Sequence, residues 1–429
     1  MWRTLANVLH RACRLSRREF IRLLGLISIM THRAWAAELS AGTEPREPGL
    51  DENAAPSRIK VFLCGDVMTG RGVDQILPRP SPGRLYEPSV RDAREYVELA
   101  ERSSGPISSP VSFTYIWGDA LAELERISPD ARIINLETSV TRSEDYWRDK
   151  EVLYRMSPDN VGCLTAARID VCVLANNHVL DYGYAGLLET LDTLRRAGLG
   201  TTGAGRDLAE ARQPAAVELP RTGTLHVFAF ATESSGVPRS WAAGEKRAGV
   251  ELLSDLSEAR AAEVGERMRR VKRRGDIAIA SVHWGGNWGY QVPAPHVRFA
   301  HTLIDAGVDV IHGHSSHHVR PIEVYRKKLI LYGCGDFIDD YEGITGYEDF
   351  RDDLVLMYFA TLAPGSGEIT ELRMTPMQIR KMRLNRASPR DAQWLRDTLC
   401  RVGAPFGTRV ELADDGSLVL SSVSAVDAR

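Results

Sequence analysis

The sequence predicts an α/β fold, in which β-strands alternate with α-helices along the chain. Short aliphatic runs of strand length recur through most of the sequence. Stretches with helical patterning lie between them, and two of these end at Gly275 and Gly307, since glycine commonly stops helices. Acids, amides and histidines follow several of the aliphatic runs, where open α/β sheets place their ligand sites.

Each element follows from its own pattern of residues. The aliphatic runs predict strands over residues 60–64, 132–134, 171–174, 226–230, 277–282, 308–311 and 329–332. The helical patterns predict helices over residues 117–126, 185–197, 251–273 and 295–306. No internal repeat is present, so the chain does not have the sequence pattern of a solenoid.

The first segment has the pattern of an export signal. Residues 16–22 read Ser-Arg-Arg-Glu-Phe-Ile-Arg, a twin-arginine motif, and an apolar run follows at residues 23–30. That run is far shorter than the roughly 20 residues that span a bilayer. A small-residue cleavage pattern at residues 34–36 predicts a signal peptide over residues 1–37 and a periplasmic or envelope-associated protein. An uncleaved anchor is the alternative.

The rest of the chain divides into three segments. Residues 38–58 are rich in Pro, Glu, Ala and Gly and predict a flexible linker. The main domain is predicted over residues 59–345, with residues 77–110 inserted over the site after the first strand. Residues 346–429 predict strands and a helix that either extend the core or form a small module.

The charge distribution argues against a nucleic-acid partner. The formal net charge is −3, and acidic and basic residues are interspersed along the chain. No broad basic surface is therefore expected, and nucleic-acid binding depends on such a surface.

Polar residues cluster after five of the predicted strands. The clusters are residues 64–66 (Cys-Gly-Asp), 135–137 (Asn-Leu-Glu), 175–178 (Ala-Asn-Asn-His), 283–285 (His-Trp-Gly) and 312–318 (His-Gly-His-Ser-Ser-His-His). Imidazole, carboxylate and amide oxygen together are the ligands of Zn, Mn and Fe(II) sites. Each cluster alone is more often a cap or a turn, but the ordered set predicts a metal site.

Four motifs resemble those of the CapA-type family of poly-γ-glutamate capsule synthesis proteins. They are Gly65–Arg71, Asn135–Thr141, Ala175–Gly183 and His283–Gly285. The resemblance extends from about Ile59 to Tyr341, and its Asn-Asn-His element is the most specific part. It implies a metallophosphatase-like αββα sandwich with an insertion after the first strand and a small C-terminal β-rich extension.

The resemblance also implies roles for particular residues. One or two divalent ions, Mn, Zn or Fe, would be held by Asp66, Glu137, Asn177, His283, His314 and His317. Glu137 would stand where a carboxylate can bridge two ions. His178 would be the general acid that protonates a leaving oxygen, and Asp181 would orient it. Arg71 could hold a substrate phosphate or carboxylate, or could equally be a surface arginine.

The sequence departs from the phosphoesterase pattern in three places. Residues 66–68 read Asp-Val-Met where Asp-x-His is usual, so one imidazole is missing. The second acid is Glu137 rather than an aspartate, and a site with a single metal stays open. Asp336 stands in Gly-Asp-Phe where Gly-Asn-Phe is common; it could add a carboxylate to the site, but we favour a role in capping a turn.

Two functions are compatible with these observations. The first is an exported metal-dependent hydrolase of capsule polymer synthesis, which acts on a phosphate ester or on an amide of polyglutamate. The second is a non-catalytic assembly or polymer-binding factor that keeps a structural metal. The expected partners are an anionic capsule polymer or a phosphorylated small molecule, together with the capsule synthesis machinery. Because a family name does not specify a reaction, the residues of the site must decide between them.

Overall fold

The computed structural model describes residues 58–219 and 223–421. The predicted signal peptide over residues 1–37 lies outside the described residues, as does the predicted linker over residues 38–58 except for its last residue. Among the described helices, none combines the length and the apolar composition that a bilayer crossing requires.

Strands and helices alternate through the described chain. The strands are β1 Ile59–Val67, β2 Ala131–Leu136, β3 Ser139–Val140, β4 Arg155–Met156, β5 Val171–Val173, β6 Gly200–Thr202, β7 Ala204–Gly205, β8 Ala215–Leu219, β9 Gly223–Thr232, β10 Gly249–Val250, β11 Leu252–Leu253, β12 Ile277–His283, β13 Val310–His314, β14 Ile322–Tyr325, β15 Lys328–Leu331, β16 Asp336–Ile338, β17 Leu354–Leu362, β18 Ile369–Ile379, β19 Leu384–Arg386, β20 Val410–Leu412 and β21 Leu418–Leu420. The α-helices are α1 Arg71–Ile76, α2 Arg94–Ser104, α3 Ala120–Ile127, α4 Gly162–Ala166, α5 Gly183–Arg196, α6 Leu208–Ala211, α7 Glu258–Val271, α8 Ala294–Asp305 and α9 Pro389–Gly403.

One predicted helix begins later than its pattern suggests. The helix expected over residues 251–273 starts at Glu258, because Ser257 caps it by accepting a hydrogen bond from the amide of Arg260. Leu252 and Leu253, which contributed to the helical pattern, form β11 and pair with β9 instead. Strand pairing therefore outweighed the local helical pattern at this position.

The first of the two large sheets is centred on β1. Its strand order is β20-β21-β18-β17-β1-β2-β5-β6. In addition, β16 pairs with β1 and β19 pairs with β18. β1 pairs in parallel with β2 and antiparallel with β17, and all but one of its residues are buried. The strands after Asp353 thus lie in the same sheet as β1.

The second large sheet has the order β11-β9-β12-β13-β15-β14, with β8 beside β9. Alternate residues of a strand point to opposite faces of a sheet. On β12, Ile277 and Ile279 face the core between the two sheets, whereas Ala278 and Ala280 face a second apolar cluster. That second cluster contains the buried sides of α7 and α8, so these helices cover the outer face.

Helical segments also cover the first sheet. Trp117, just before α3, packs near Phe337, which in turn packs against Phe62 of β1. The segment between β1 and β2 contains α2, which packs against α1. The predicted α/β class and αββα sandwich, with an insertion after the first strand and C-terminal strands, are confirmed.

Candidate metal centre

The carboxyl ends of strands from both sheets meet at one place. Asp66 lies near the end of β1, Glu137 follows β2 and Asn177 follows β5, all in the first sheet. His283 and His314 are the last residues of β12 and β13, in the second sheet. These two histidines are register partners, and both point into the space between the sheets.

One group of potential ligands consists of Asp66, His283 and His314, all buried. The Nδ1 atoms of the two histidines are 2.8 Å apart, and His314 Nδ1 is 3.8 Å from Asp66 Oδ1. His283 Nε2 lies 3.0 Å from the Oδ1 of Asn177. Ligand atoms that each stand about 2.1 Å from one cation lie about 3 Å apart, so the spacing of the two Nδ1 atoms suits a metal ion. Asn177 contacts the opposite nitrogen of the His283 ring.

A second group of potential ligands consists of Asp66, His317 and Asp336. His317 Nδ1 is 2.8 Å from Asp336 Oδ1, and Asp336 Oδ2 is buried with no hydrogen-bond partner among the described residues. Asp336 is the register partner of Asp66 across the parallel pair β1–β16, which explains why it faces the site rather than capping a turn. Asp66 belongs to both groups.

Glu137 lies beside the first group. Its Oε1 is 3.8 Å from the Nε2 atoms of both His178 and His283. The side-chain amide of Asn135 donates to Asp66 Oδ1 at 2.8 Å and to Glu137 Oε2 at 2.9 Å. The predicted bridging role of Glu137 stays a prediction, whereas the geometry makes Asp66 the carboxylate common to both groups.

The electrostatics of these groups favour a cation. Burial raises the pKa of Asp66 to about 6, although hydrogen bonding from Asn135 opposes this rise. Burial, followed by repulsion from Asp66, raises the pKa values of Glu137 and Asp336 well above their usual range. Burial also lowers the pKa of His314 well below its usual value, which keeps its ring neutral. Crowded carboxylates, neutral imidazoles and an unpaired carboxylate oxygen together fit a divalent ion.

The predicted pair of His178 and Asp181 is formed beside the first group. His178 Nδ1 is 2.6 Å from Asp181 Oδ2, and Lys150 Nζ lies 3.0 Å from the same Nδ1. Lys150 also donates to Asp181 and to the backbone carbonyl of Asn177. Because an ammonium group only donates and a carboxylate only accepts, the closer contact places the Nδ1 proton of His178 towards Asp181.

This arrangement determines how His178 can handle a proton. Burial lowers the pKa of His178 to about 4, and the nearby charge of Asp181 opposes that shift. At neutral pH the ring is therefore neutral, and its unprotonated Nε2 is turned towards Glu137. His178 can accept a proton at Nε2, and it must do so before it can act as the general acid that the resemblance implies.

The guanidinium of Arg71 is hydrogen-bonded to other side chains of the protein and is not free to bind a ligand. Arg71 is 3% exposed, and its guanidinium donates to both oxygens of Asp340 and to Glu87. The guanidinium carbon also stands 3.9 Å from the centre of the Tyr96 ring. Because internal partners occupy the guanidinium, we do not include Arg71 in the proposed substrate site.

Replacement of Arg71 by methionine should therefore destabilise the fold. Removal of one partner from a buried ion pair leaves a buried charge uncompensated, which typically costs about 3–5 kcal/mol. We expect the free energy of unfolding in urea to fall by that amount, and the added change Asp340→Asn to restore part of it. An Arg71→Met protein with unchanged stability and a raised KM would instead support the predicted substrate role.

Comparison with known proteins identifies the family. A family model described as bacterial capsule synthesis protein PGA_cap matches residues 60–341. The chain belongs to the PGA_cap family. The resemblance to the CapA-type family is thereby confirmed, since relatives of this chain include proteins named CapA.

Several relatives of this PGA_cap chain have names. Proteins of two Mycobacterium tuberculosis strains, each named a probable polyglutamine synthesis accessory protein, are 51% identical over 85% of this chain and 96% of their own length. The PGA biosynthesis protein CapA of Bacillus subtilis is 27% identical over 75% of this chain and 74% of its own. A solved structure, the 5'-nucleotidase precursor of Thermus thermophilus, is 12% identical with a TM-score of 0.42, covering 81% and 59% of the two chains.

The region matched to PGA_cap contains both ligand groups. It includes Asp336, for which the sequence favoured a turn cap, and Lys150, which no sequence pattern selected. Asp336 lies in a strand of three residues, too short for its pattern to be read. Lys150 lies in a stretch without regular secondary structure, where periodicity gives no signal. The C-terminal strands lie beyond the matched region, yet β17 pairs directly with β1.

Proposed function

We propose that the protein is a divalent-metal-dependent hydrolase that acts in the synthesis of a capsule-type polymer at the cell envelope. The observation that carries the proposal is the position of Asp66 in two ligand groups, with the His178–Asp181 pair beside them. The names of the relatives support the pathway, because they refer to polyglutamine synthesis and to PGA biosynthesis. The twin-arginine pattern supports export to the periplasm or envelope.

The residues of the site divide into three roles. Asp66, His283 and His314 would hold one cation, and Asp66, His317 and Asp336 would hold a second. Asn177, which was predicted as a ligand, contacts Nε2 of His283, the nitrogen opposite the one that faces His314. A bound divalent cation would polarise a phosphoryl or carbonyl oxygen and make water a better nucleophile. His178 would move a proton at Nε2, while Asp181 holds its Nδ1 and Lys150 holds Asp181.

The proposed substrates are an amide bond of an anionic glutamate polymer and a phosphate ester. Both hydrolyses develop negative charge on oxygen, which a cation stabilises. A second function, binding of polymer or of the capsule synthesis machinery without catalysis, is favoured by the word "accessory" in the names of the Mycobacterium tuberculosis relatives. The two functions differ in whether metal supports turnover.

Metal analysis of the mature protein from its export compartment tests the proposal. We expect about one or two equivalents of Mn, Zn or Fe by mass spectrometry, because the site offers two ligand groups. The double variant His283→Ala/His314→Ala should lose the cation of the first group and contain at most about one equivalent, because His317 and Asp336 of the second group are unchanged. A control variant, His226→Ala/His301→Ala, should retain the metal, because these histidines contact Asp276 and Glu323 away from the site.

Activity screens on phosphate esters and on polyglutamate would follow for the metal-loaded protein. Metal-dependent release of phosphate or of shorter polymer would support the hydrolase. A folded wild-type protein that contains no metal and takes up none on titration would overturn the proposal and favour the assembly or binding function.

A further inference from the structure

A buried line of four hydrogen-bonding groups ends at His314. The Nε2 of His312 is 2.7 Å from the backbone carbonyl oxygen of Cys64, and its Nδ1 is 3.0 Å from the hydroxyl of Ser281. The same hydroxyl is 2.9 Å from His314 Nε2. Ser281 and His312 are register partners on β12 and β13, and all four residues are fully buried.

The backbone carbonyl of Cys64 determines the direction in which every hydrogen bond of the line donates. A carbonyl oxygen only accepts, so His312 must carry its proton on Nε2. In a neutral ring, His312 Nδ1 is then an acceptor, and the single hydroxyl proton of Ser281 must point to it. The Ser281 oxygen is left to accept, so His314 must donate from Nε2 and keep its Nδ1 unprotonated.

This reasoning requires that His312 is neutral. Its side chain is fully buried, and no carboxylate of the described residues forms an ion pair or hydrogen bond with it. A charged imidazolium without a counter-ion in such a place would be strongly disfavoured. The neutral ring is therefore the stable one, and the direction of the line is fixed.

The unprotonated nitrogen of His314 is the one that faces the ligand group. His314 Nδ1 stands 2.8 Å from His283 Nδ1 and 3.8 Å from Asp66 Oδ1. We infer that Ser281 and His312 are positioning residues: they hold the proton of His314 on Nε2 and so present the Nδ1 lone pair to a divalent cation. The inference rests on the proposed metal site and deepens it by naming the residues that prepare one ligand.

Ser281→Ala breaks the line without adding bulk. In metal-free protein labelled with nitrogen-15, we expect His314 of the wild type to be a single tautomer with its proton on Nε2. The variant should show a mixture of tautomers, and its affinity for Mn or Zn should fall about 10- to 100-fold, the usual effect of removing the partner of a ligating histidine. The His314 signals are assigned by their absence from the spectrum of His314→Gln.

Two further variants separate this role from general damage to the core. Ser281→Thr keeps the hydroxyl and should restore both the single tautomer and the affinity. Ser235→Ala removes another buried hydroxyl near the site, one that donates only to the backbone carbonyls of Thr232 and His283, and should change neither measurement. His312→Phe keeps a ring but removes both nitrogens and should behave like Ser281→Ala.

The outcomes distinguish this inference from the proposed function. A proton on Nδ1 of His314 in the wild type, or an unchanged metal affinity in Ser281→Ala, would overturn the inference even if the protein binds metal. A wild-type protein with the expected tautomer that binds no added metal would overturn the proposed function and support only the hydrogen-bond line.

Discussion

Replacement of Asp66 by asparagine is expected to weaken metal binding at both ligand groups by more than about 100-fold. This loss exceeds the usual loss of metal affinity when only a hydrogen-bond partner of a ligand is removed. Asp66 is the residue that the two groups share, and an amide offers one neutral oxygen in place of a carboxylate. Mass spectrometry and calorimetric titration with Mn or Zn would measure the loss. Any turnover that depends on the metal should disappear with it.

The same change should leave the metal-free fold no less stable at pH 7. Burial raises the pKa of Asp66 to about 6, so the ionised side chain costs free energy in the folded state above that pH. Asp74→Asn is the matched control, because Asp74 is fully buried and accepts bonds from Ser81, Ser157 and Asn160 outside the site. That variant should retain its full metal content. Full metal content in Asp66→Asn would contradict the shared role.

The second large effect is expected from His178→Ala. A positioned proton donor or acceptor typically contributes about 10²- to 10⁴-fold to a rate, so kcat should fall by that factor on any substrate of the wild type. Metal content should stay unchanged, because His178 belongs to neither ligand group. The fold should also persist, because Asp181 still accepts from Lys150 and from the amide of Tyr154.

A control and a contradicting result define this test. His301→Ala removes a histidine that stacks on Tyr325, away from the site, and should keep both metal and rate. A fully active His178→Ala protein would show that His178 does not transfer the proton. A protein that loses metal as well as rate would show that His178 supports the ligands instead.

The sequence predicts the site well where its residues end regular strands. Aliphatic runs that end in histidine indicated β12 and β13, and parallel neighbours end at the same edge of a sheet, which brings His283 and His314 together. The same reasoning placed Asp66 and Glu137 at the ends of β1 and β2. Strand periodicity is a local pattern that a sequence shows directly. Consecutive strands of an α/β chain usually lie side by side, so their order along the sequence also indicates which strand ends come together.

Residues outside such strands could not be placed in this way. Lys150 reaches the His178–Asp181 pair from an irregular stretch, whose path depends on the packing of the whole domain. Arg71 was ambiguous because a motif gives its position but not its partners, and Asp340, which pairs with it, is distant in the sequence. His312 was expected only to flank the ligands, because its bond to the Cys64 carbonyl requires the two sheets to face each other.

The assembly of the ligand groups from two sheets has a consequence for when metal can be acquired. Asp66 comes from the first strand, whereas His283, His314 and Asp336 come from the far half of the described chain, so an unfolded polypeptide cannot offer them together. Metal binding to such a site is coupled to folding. An ion bound at the proposed site would consequently be selected by the metals available where the chain folds. The proposed twin-arginine route, which transports folded proteins, would make the cytoplasm that place.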